Sequence, residues 1–185
     1  QVGLSEADWI EDFEDGVADG FVYDNAANWS VAGGTHIGNF TPTVAGWTSN
    51  SYDTQTFGDG IYEAEMTKLS GVDTQSMGTF IRGTDYYNDA AYSGYMFNIA
   101  PAATGGAFFI ARIDAGVATA YAVWLAAPSM NLGIGASNVV AIVADGGNFT
   151  FFVNGEEAFA FTDFFYAAGE FGTAYYQDTT ASGIV

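Results

Sequence analysis

Cysteine is absent from the 185 residues, and positive charge is scarce, with 3 Lys plus Arg against 22 Asp plus Glu. The lack of cysteine excludes disulfides and thiolate metal sites. The formal net charge of −19 excludes nucleic acid as a main partner, because clustered Lys and Arg hold DNA and RNA. Here the basic side chains are Lys68, Arg82 and Arg112. Anionic membrane surfaces are excluded for the same reason.

Long apolar runs are also lacking. None approaches the ~18 residues of a membrane-crossing helix, so we expect no membrane insertion. Leucine is rare, whereas 24 Gly, 16 Phe, 11 Tyr and 4 Trp favour strands and tight turns over helices. A hydrophobic fraction of 49% supplies a core despite the charge. The composition therefore predicts an all-β chain with almost no helix.

Apolar and polar residues alternate with period two, which is the pattern of strands. In residues 61–67, Glu63 and Glu65 fall on one face and the apolar side chains on the other, which predicts a half-solvated strand. The clearest hairpin joins residues 148–153 to 158–162 through Asn154-Gly155, a pair suited to a type I′ turn. Further predicted strands cover residues 95–99, 107–113, 120–125 and 138–144.

These short strands predict a two-sheet antiparallel β-sandwich, or jelly roll, with a barrel as the alternative. The sandwich is favoured because many strands are apolar on one face only. We expect a single sandwich domain at residues 9–185 and an N-terminal arm at residues 1–8.

The order of several segments resembles the concanavalin A-like (LamG-type) jelly roll found in secreted carbohydrate-binding modules. The opening Trp9-Ile10-Glu11-Asp12-Phe13-Glu14-Asp15-Gly16 is similar to the family's "DDF-x-DG" start. Gly78-Thr79-Phe80-Ile81-Arg82 is similar to its "GLIFR" strand, and residues 148–155 are similar to its "NTFTFYVNG" hairpin. The resemblance implies the sandwich fold across nearly the whole chain.

One departure from the family pattern concerns the closing strand. The family ends with a strand that lies beside the opening one, whereas this sequence reaches Ser182-Gly183-Ile184-Val185 where that strand is expected to start. We therefore expect the position of the closing strand to be vacant or filled by another segment.

No catalytic residues are predicted. Glycosidases of this broad fold carry E-x-D-x-x-E, but the nearest pattern here is Glu63-x-Glu65-x-x-Lys68, with Lys in place of the third acid. A serine nucleophile would have only His36 as its base, and G-x-S-x-G is absent. We interpret His36 as a strand or turn residue and the protein as a non-enzyme.

Binding sites are predicted more readily. The surplus of acids leaves room for a structural calcium ion, and the resemblance implies Asp12 and Asp15 as its ligands; the alternative is that both cap a turn. Three sequons make Asn28, Asn39 and Asn148 candidate glycan acceptors. A platform for sugar stacking could be formed by Tyr86, Tyr87, Asn88 and Tyr92, or by Trp47 with Tyr52, unless these rings only fill the edges of the core.

We expect a secreted, extracellular or cell-surface protein, since the sequence starts at Gln1 instead of Met and carries sequons. The main hypothesis is a structural protein that assembles with copies of itself into a filament or matrix. In it, the arm donates a strand to a neighbour, with Val2 and Leu4 on one face. The alternative is a lectin-like carbohydrate-binding module with glycans as partners.

Overall fold

The computed structural model describes residues 9–41, 47–72, 75–84, 92–102, 105–177 and 183–185, and for residues 47–52 and 177 it describes the backbone. In this part of the chain the single helical segment is a 3-10 turn at Ala26–Asn28. The strands are β1 (Phe21–Tyr23), β2 (Trp29–Val31), β3 (His36–Phe40), β4 (Trp47–Phe57), β5 (Gly60–Thr67), β6 (Ser76–Thr84), β7 (Ser93–Ala100), β8 (Ala107–Asp114), β9 (Val117–Ala126), β10 (Ser137–Asp145), β11 (Asn148–Val153), β12 (Glu156–Thr162), β13 (Gly169–Gln177) and β14 (Gly183–Ile184).

The strands form two main antiparallel sheets and a small third one. The large sheet has seven strands in the order β1-β4-β13-β6-β7-β8-β9, and the second has four in the order β12-β11-β10-β5. A three-stranded sheet has the order β14-β3-β2. The prediction of an all-β antiparallel sandwich is confirmed. No helix in the described ranges is long and apolar enough to cross a membrane.

Aromatic side chains fill the space between the two main sheets. Tyr95, Phe97 and Phe108 from the large sheet meet Phe149 and Phe151 from β11, and all five are at most 1% exposed. The ring centroids of Tyr95 and Phe149 lie 4.5 Å apart, and those of Phe108 and Phe151 lie 5.5 Å apart. Burial of large apolar surface of this kind is the main stabilising contribution to the fold.

Two local predictions hold in detail. In β5, Tyr62 and Met66 are buried whereas Glu63 and Glu65 are exposed, as the alternation predicts. In the turn between β11 and β12, Asn154 and Gly155 have φ of 52° and 82°, the left-handed values that a type I′ turn needs at both central positions.

Two of the three basic side chains are buried, where they hold loops together. The Arg82 guanidinium donates to the Gly146 carbonyl at 2.6 Å, to that of Tyr166 at 3.2 Å, and to Asp59 at 2.7 Å. The Lys68 ammonium donates to the carbonyl oxygens of Val72 and Gln75. Each buried cation is therefore satisfied by oxygen acceptors, as burial of a charge requires.

Candidate functional site

β14 lies between β3 and the residues that follow β5. On one side, the N–H of Val185 donates to the carbonyl of Gly38, and the N–H of Gly38 donates back to Val185, both at 3.0 Å. On the other side, the N–H groups of Leu69 and Ser70, just after β5, donate to the carbonyl of Ile184 at 2.8 and 3.1 Å. The sequence predicted that the closing strand is lacking, whereas the structure has a two-residue strand, β14, that connects β3 with the residues following β5.

A cavity of about 700 Å³, which we call the slot, lies between β3 and β5 and is lined in part by Val185. Its two walls include residues 35–37 and 63–67, and its floor includes Met77, Phe171 and Thr173 of the large sheet. Because neighbouring strands lie about 4.8 Å apart, the space that β14 fills between β3 and residues 69–70 is one strand wide. The five residues of β5 along the wall correspond to roughly 16 Å of extended chain.

The backbone along the slot continues the pattern of β14. In an antiparallel pair, alternate residues direct both N–H and C=O toward the same neighbour. Since Gly38 exchanges both bonds with Val185, the backbone groups of His36, two residues away, point toward the slot. On the opposite wall, β5 is the edge strand of its sheet. The slot therefore lies beside β14, with β3 on one side and the edge of β5 on the other.

An aromatic cluster surrounds His36 at the β3 wall. The ring centroid of His36 lies 5.0 Å from Trp29, 5.2 Å from Phe13, 5.4 Å from Phe21 and 5.7 Å from Tyr23. Burial lowers the pKa of His36 to about 4, although the Glu11 carboxylate partly opposes the shift. His36 is the first residue of β3, which agrees with its interpretation as a strand residue, and it is neutral at pH 7.

The chain enters the fold along the same cavity. Trp9 lines the slot and packs against Phe57 and Phe171, with centroid separations of 5.8 and 6.2 Å. The hydroxyl oxygen of Thr173 on the floor is buried without a hydrogen-bond partner in the described structure. Buried polar atoms normally have partners, so the floor offers an unused hydrogen-bonding atom beside an apolar surface.

The predicted calcium ligands, Asp12 and Asp15, are exposed and cap local turns. The carboxylate of Asp12 accepts from the N–H of Glu14 at 3.1 Å, and that of Asp15 accepts from the N–H of Val17 at 2.9 Å. In the described residues no group of three His, Cys, Asp or Glu side chains could hold a metal ion. Calcium binding stays a prediction.

The three sequons differ in exposure. Asn148 and Asn39 are exposed, while Asn28 is half-buried beside the 3-10 turn. Asn148 is the first residue of β11 and pairs with Asp145, so it lies beside the turn, as expected. Its glycosylation stays a prediction.

Most of the predicted aromatic platform falls outside the described structure. Tyr86, Tyr87 and Asn88 lie outside the described residues, as do Val2 and Leu4, and for Trp47 the backbone alone is described. Tyr92 is 6% exposed and packs on Phe80 with a centroid separation of 5.3 Å. Its ring faces are therefore covered by protein and not open to a sugar, because the position lies over a second apolar cluster.

A polar cluster centred on Asp163 lies at the end of the sandwich where β12 leads into β13. The Asp163 carboxylate accepts from Arg112 at 2.6 Å, from the Tyr95 hydroxyl at 2.9 Å, and from the Tyr121 hydroxyl. Burial alone would raise the pKa of Asp163, but the hydrogen bonds together, with Tyr121 contributing most, hold it below its ordinary value. Asp163 is thus ionised and accepts hydrogen bonds from all three of these side chains.

No protein-family model matches the chain, and no curated protein matches it in sequence. Its structure is similar to the carbohydrate-binding module CBM66 from Bacillus subtilis, with a TM-score of 0.69 and 14% identity over 89% of this chain and 91% of that chain. The chain has the concanavalin A-like jelly-roll fold.

Two further structures have the same fold. A Bacillus licheniformis beta-glucanase gives a TM-score of 0.60 and 16% identity, covering 86% of this chain and 79% of that chain. The carbohydrate recognition domain of Emp46p, in a potassium-bound form, gives 0.60 and 7% identity, covering 95% and 89%. One of these three structures is named as a beta-glucanase and two are named for carbohydrate binding or recognition, so the jelly roll by itself does not decide the function.

Sequence reasoning predicted a vacancy at the closing strand but not the side chains that line it. Trp9, Phe13 and Phe21 belong to the family-like opening, and their aromatic character was the available signal. His36 carried no such signal, because its neighbours come from three separate segments of the sequence.

Proposed function

We propose that this protein is an extracellular, non-enzymatic assembly module in which a strand from a second copy completes the sheet between β3 and β5. The observation that carries the proposal is the slot itself. It is lined on one side by residues of β3 and on the other by β5, which is the edge strand of its sheet, and it adjoins β14, which pairs with β3. Exposed strand edges are normally paired or covered, since they otherwise promote uncontrolled association.

The slot has two chemically different sides. Its inner side is formed by apolar residues such as Met66, Met77 and Phe171, and its outer rim carries Glu63 and Glu65. A strand of alternating character fits this environment, with apolar side chains directed inward and polar or small ones outward. Backbone pairing supplies the affinity in such strand addition, and the inward side chains supply the specificity.

The occupant that we propose is the N-terminal arm, residues 1–8, of a neighbouring copy. Val2 and Leu4 are spaced for the inner side, while Gly3 and Ser5 take the outer positions. The first five residues contain no acid, so their insertion brings no further negative side chain beside Glu63 and Glu65. Contacts of this head-to-tail kind build filaments when they do not close into a ring.

The residues at the glycosidase-like pattern support a non-enzymatic role. Glycosidases need a pair of carboxyl groups, one of which donates a proton. The position of the third acid in the glycosidase motif is taken by Lys68, which is buried and bound to backbone carbonyls.

The test compares two double variants of the 185-residue chain that carry the same added charge. Val2→Asp with Leu4→Asp places both carboxylates on the inner side, whereas Gly3→Asp with Ser5→Asp places them on the outer side. Light scattering and electron microscopy should show large assemblies for the wild type and the outer variant. The inner variant should lose them.

A peptide of residues 1–8 provides the second arm of the test. It should bind the inner variant, because the altered arm of that variant no longer fills the slot. Binding should raise the thermal midpoint of the variant by mass action. A wild-type chain that stays monomeric at high concentration, with its own arm in its own slot, would overturn the proposal. Unchanged assembly of the inner variant would also overturn it.

Carbohydrate binding is a second candidate, and one local feature favours it. A cavity of about 290 Å³ is lined by Asp59, Gly146, Phe164 and Tyr166, among others. Phe164 is 76% exposed, so its ring is available for stacking on a sugar, and a carboxylate such as that of Asp59 can accept from sugar hydroxyls. The volume lies near the lower end of the range for small-molecule sites, which suits one sugar ring.

This candidate is tested by electrophoresis of the chain in gels containing mixed-linkage β-glucan or another neutral polysaccharide. Retardation that is lost in Phe164→Ala and kept in a variant of an exposed residue elsewhere, Ile10→Ala, would support it. Equal mobility with and without every polysaccharide would leave assembly as the function.

A further inference from the structure

The edge of the large sheet at β9 is long, apolar and uncharged. β9 has ten residues, pairs with β8, and is the last strand of its sheet. Its side chains are mostly exposed on both faces, including Val117 at 66% and Val123 at 60%. Natural edge strands are usually protected by charged residues, and β9 has none.

The absence of charge extends well beyond the strand. Asp114 and Asp145 bracket a run in which no Asp, Glu, Lys, Arg or His occurs. The loop that follows β9 exposes Leu132 at 56% and Ile134 at 50%. This loop lies beside the end of β9. Ala107 pairs with Ala126 at that end, and a methyl group added to the preceding residue, Gly106, would lie 2.7 Å from Leu132.

This neutral edge has a consequence for a molecule with a net charge of −19. Two copies repel each other wherever their acidic surfaces approach within about 8 Å, the screening length at physiological salt. The β9 strand itself brings no carboxylate into such an approach, and two acids that contact it, Asp114 opposite Val117 and Asp163 at the Tyr121 hydroxyl, are both paired with Arg112. The partner best suited to this face is therefore another copy of the same neutral edge.

The backbone of β9 is regular in its first half only. The register with β8 is continuous over Val117, Ala118, Thr119 and Ala120. It shifts farther along β9, opposite the β8 steps from Ala111 to Ile110 and from Ile110 to Phe108. Trp124 lies in the second half with φ of 48°, an uncommon value for a bulky residue. A regular, exposed stretch of four residues is thus the part able to pair with another strand.

We propose that β9 is a second, homotypic interface, in which the Val117–Ala120 stretches of two copies pair antiparallel about a two-fold axis. This interface is distinct from the slot, which joins unlike surfaces. Together they would link filaments laterally, because each copy could donate one strand, accept one, and pair through β9. The assignment of β9 rests on its own charge and exposure and does not require strand donation.

The absence of native cysteine allows a direct test. Single cysteines at positions 118, 119 and 120 would be introduced into the full chain and oxidised mildly. A disulfide requires Cα atoms about 4.4–6.8 Å apart, so one cysteine reaches its symmetry mate only close to the two-fold axis. We expect a disulfide-linked dimer at one or two of these positions, and none for Val17→Cys, at a turn residue of comparable exposure.

A charge variant provides the second readout. Val117→Asp should weaken dimerisation at least tenfold in analytical ultracentrifugation, while Val17→Asp, with the same change of net charge, should not. Both are compared in the chain carrying Val2→Asp and Leu4→Asp, in which strand donation is blocked. The absence of cross-linking at all three β9 positions would overturn the proposal, as would equal cross-linking at position 17 or a dimer indifferent to Val117→Asp.

Discussion

Gly38 and Val185 exchange both of their backbone hydrogen bonds at 3.0 Å, which fixes the direction in which β14 runs beside β3. Gly38 has no room for a side chain. A methyl group placed there would lie 2.2 Å from the Phe40 ring and 3.1 Å from Trp29. The pairing that opens the slot thus depends on a glycine packed against two aromatic rings.

We expect Gly38→Ala to destabilise the fold by about 1–3 kcal/mol, the usual cost of overpacking. The matched control is Gly58→Ala, where the nearest atom to an added methyl group is 3.9 Å away. Thermal or urea unfolding of both variants tests the difference. Equal midpoints would show that the rings around Gly38 yield without strain.

The pH dependence of stability should reveal His36. Its pKa is about 4 in the folded protein, whereas an exposed histidine titrates near 6.5. As the pH falls from about 6.5 toward 4, the unfolded chain takes up a proton that the folded chain does not, so this group favours unfolding over that window. Above it, His36 is neutral in both states and contributes no pH dependence.

His36→Phe isolates this effect, because the variant keeps a ring in the aromatic cluster but cannot titrate. Relief of repulsion among the carboxylates should stabilise both proteins on acidification, and it cancels in the comparison. We expect the wild type to lose stability relative to the variant between pH 6.5 and 4. Parallel stability curves over that range would contradict the burial of a neutral His36.

Asp163 should be a strong stabilising residue. Its carboxylate binds Arg112, Tyr95 and Tyr121, and its side chain is 9% exposed. We expect Asp163→Asn to cost roughly 2–3 kcal/mol at pH 7, through loss of charge-assisted hydrogen bonds. Glu157→Gln, at an exposed strand position, should cost far less.

The sign of the pH effect gives this prediction a second test. Since the pKa of Asp163 is lowered by folding, its contribution is present above the ordinary carboxyl pKa of about 4 and is lost as the pH falls through the folded value. The gap between wild type and Asp163→Asn should therefore shrink in strong acid. A gap that stays constant down to pH 2 would indicate a packing defect instead.

Local sequence patterns predicted what depends on neighbouring residues. The half-solvated face of β5 follows from alternation, and the Asn154-Gly155 turn follows from the backbone freedom of those two residues. The series of family-like segments predicted that a closing strand would start near the last four residues, and Gly183–Ile184 form β14 there, where the sequence had predicted that the strand would be lacking. Each of these features is encoded within a few consecutive positions.

The parts that the sequence did not reveal depend on contacts between distant segments. His36 is half-buried against residues 13, 21 and 29, and Tyr92 is covered by a cluster that includes Phe80 and Ala174. Neither burial follows from local periodicity. The register shifts in the second half of β9 were likewise not predicted, since the alternation of residues 120–125 indicated a regular strand.

Asn148 should be the most fully glycosylated of the three sequons when the chain is made in a glycosylating host. It is exposed beside the β10–β11 turn, and its side-chain oxygen accepts from the Thr162 hydroxyl at 3.1 Å, which orients the amide while leaving the nitrogen to carry a sugar. Asn28 is half-buried and precedes the buried Trp29, so a glycan there would crowd the slot's aromatic cluster. Intact mass before and after glycosidase treatment should show a loss that Asn148→Gln abolishes and Asn28→Gln leaves in place. An unmodified Asn148 beside a modified Asn28 would mean that exposure in the folded state does not control occupancy.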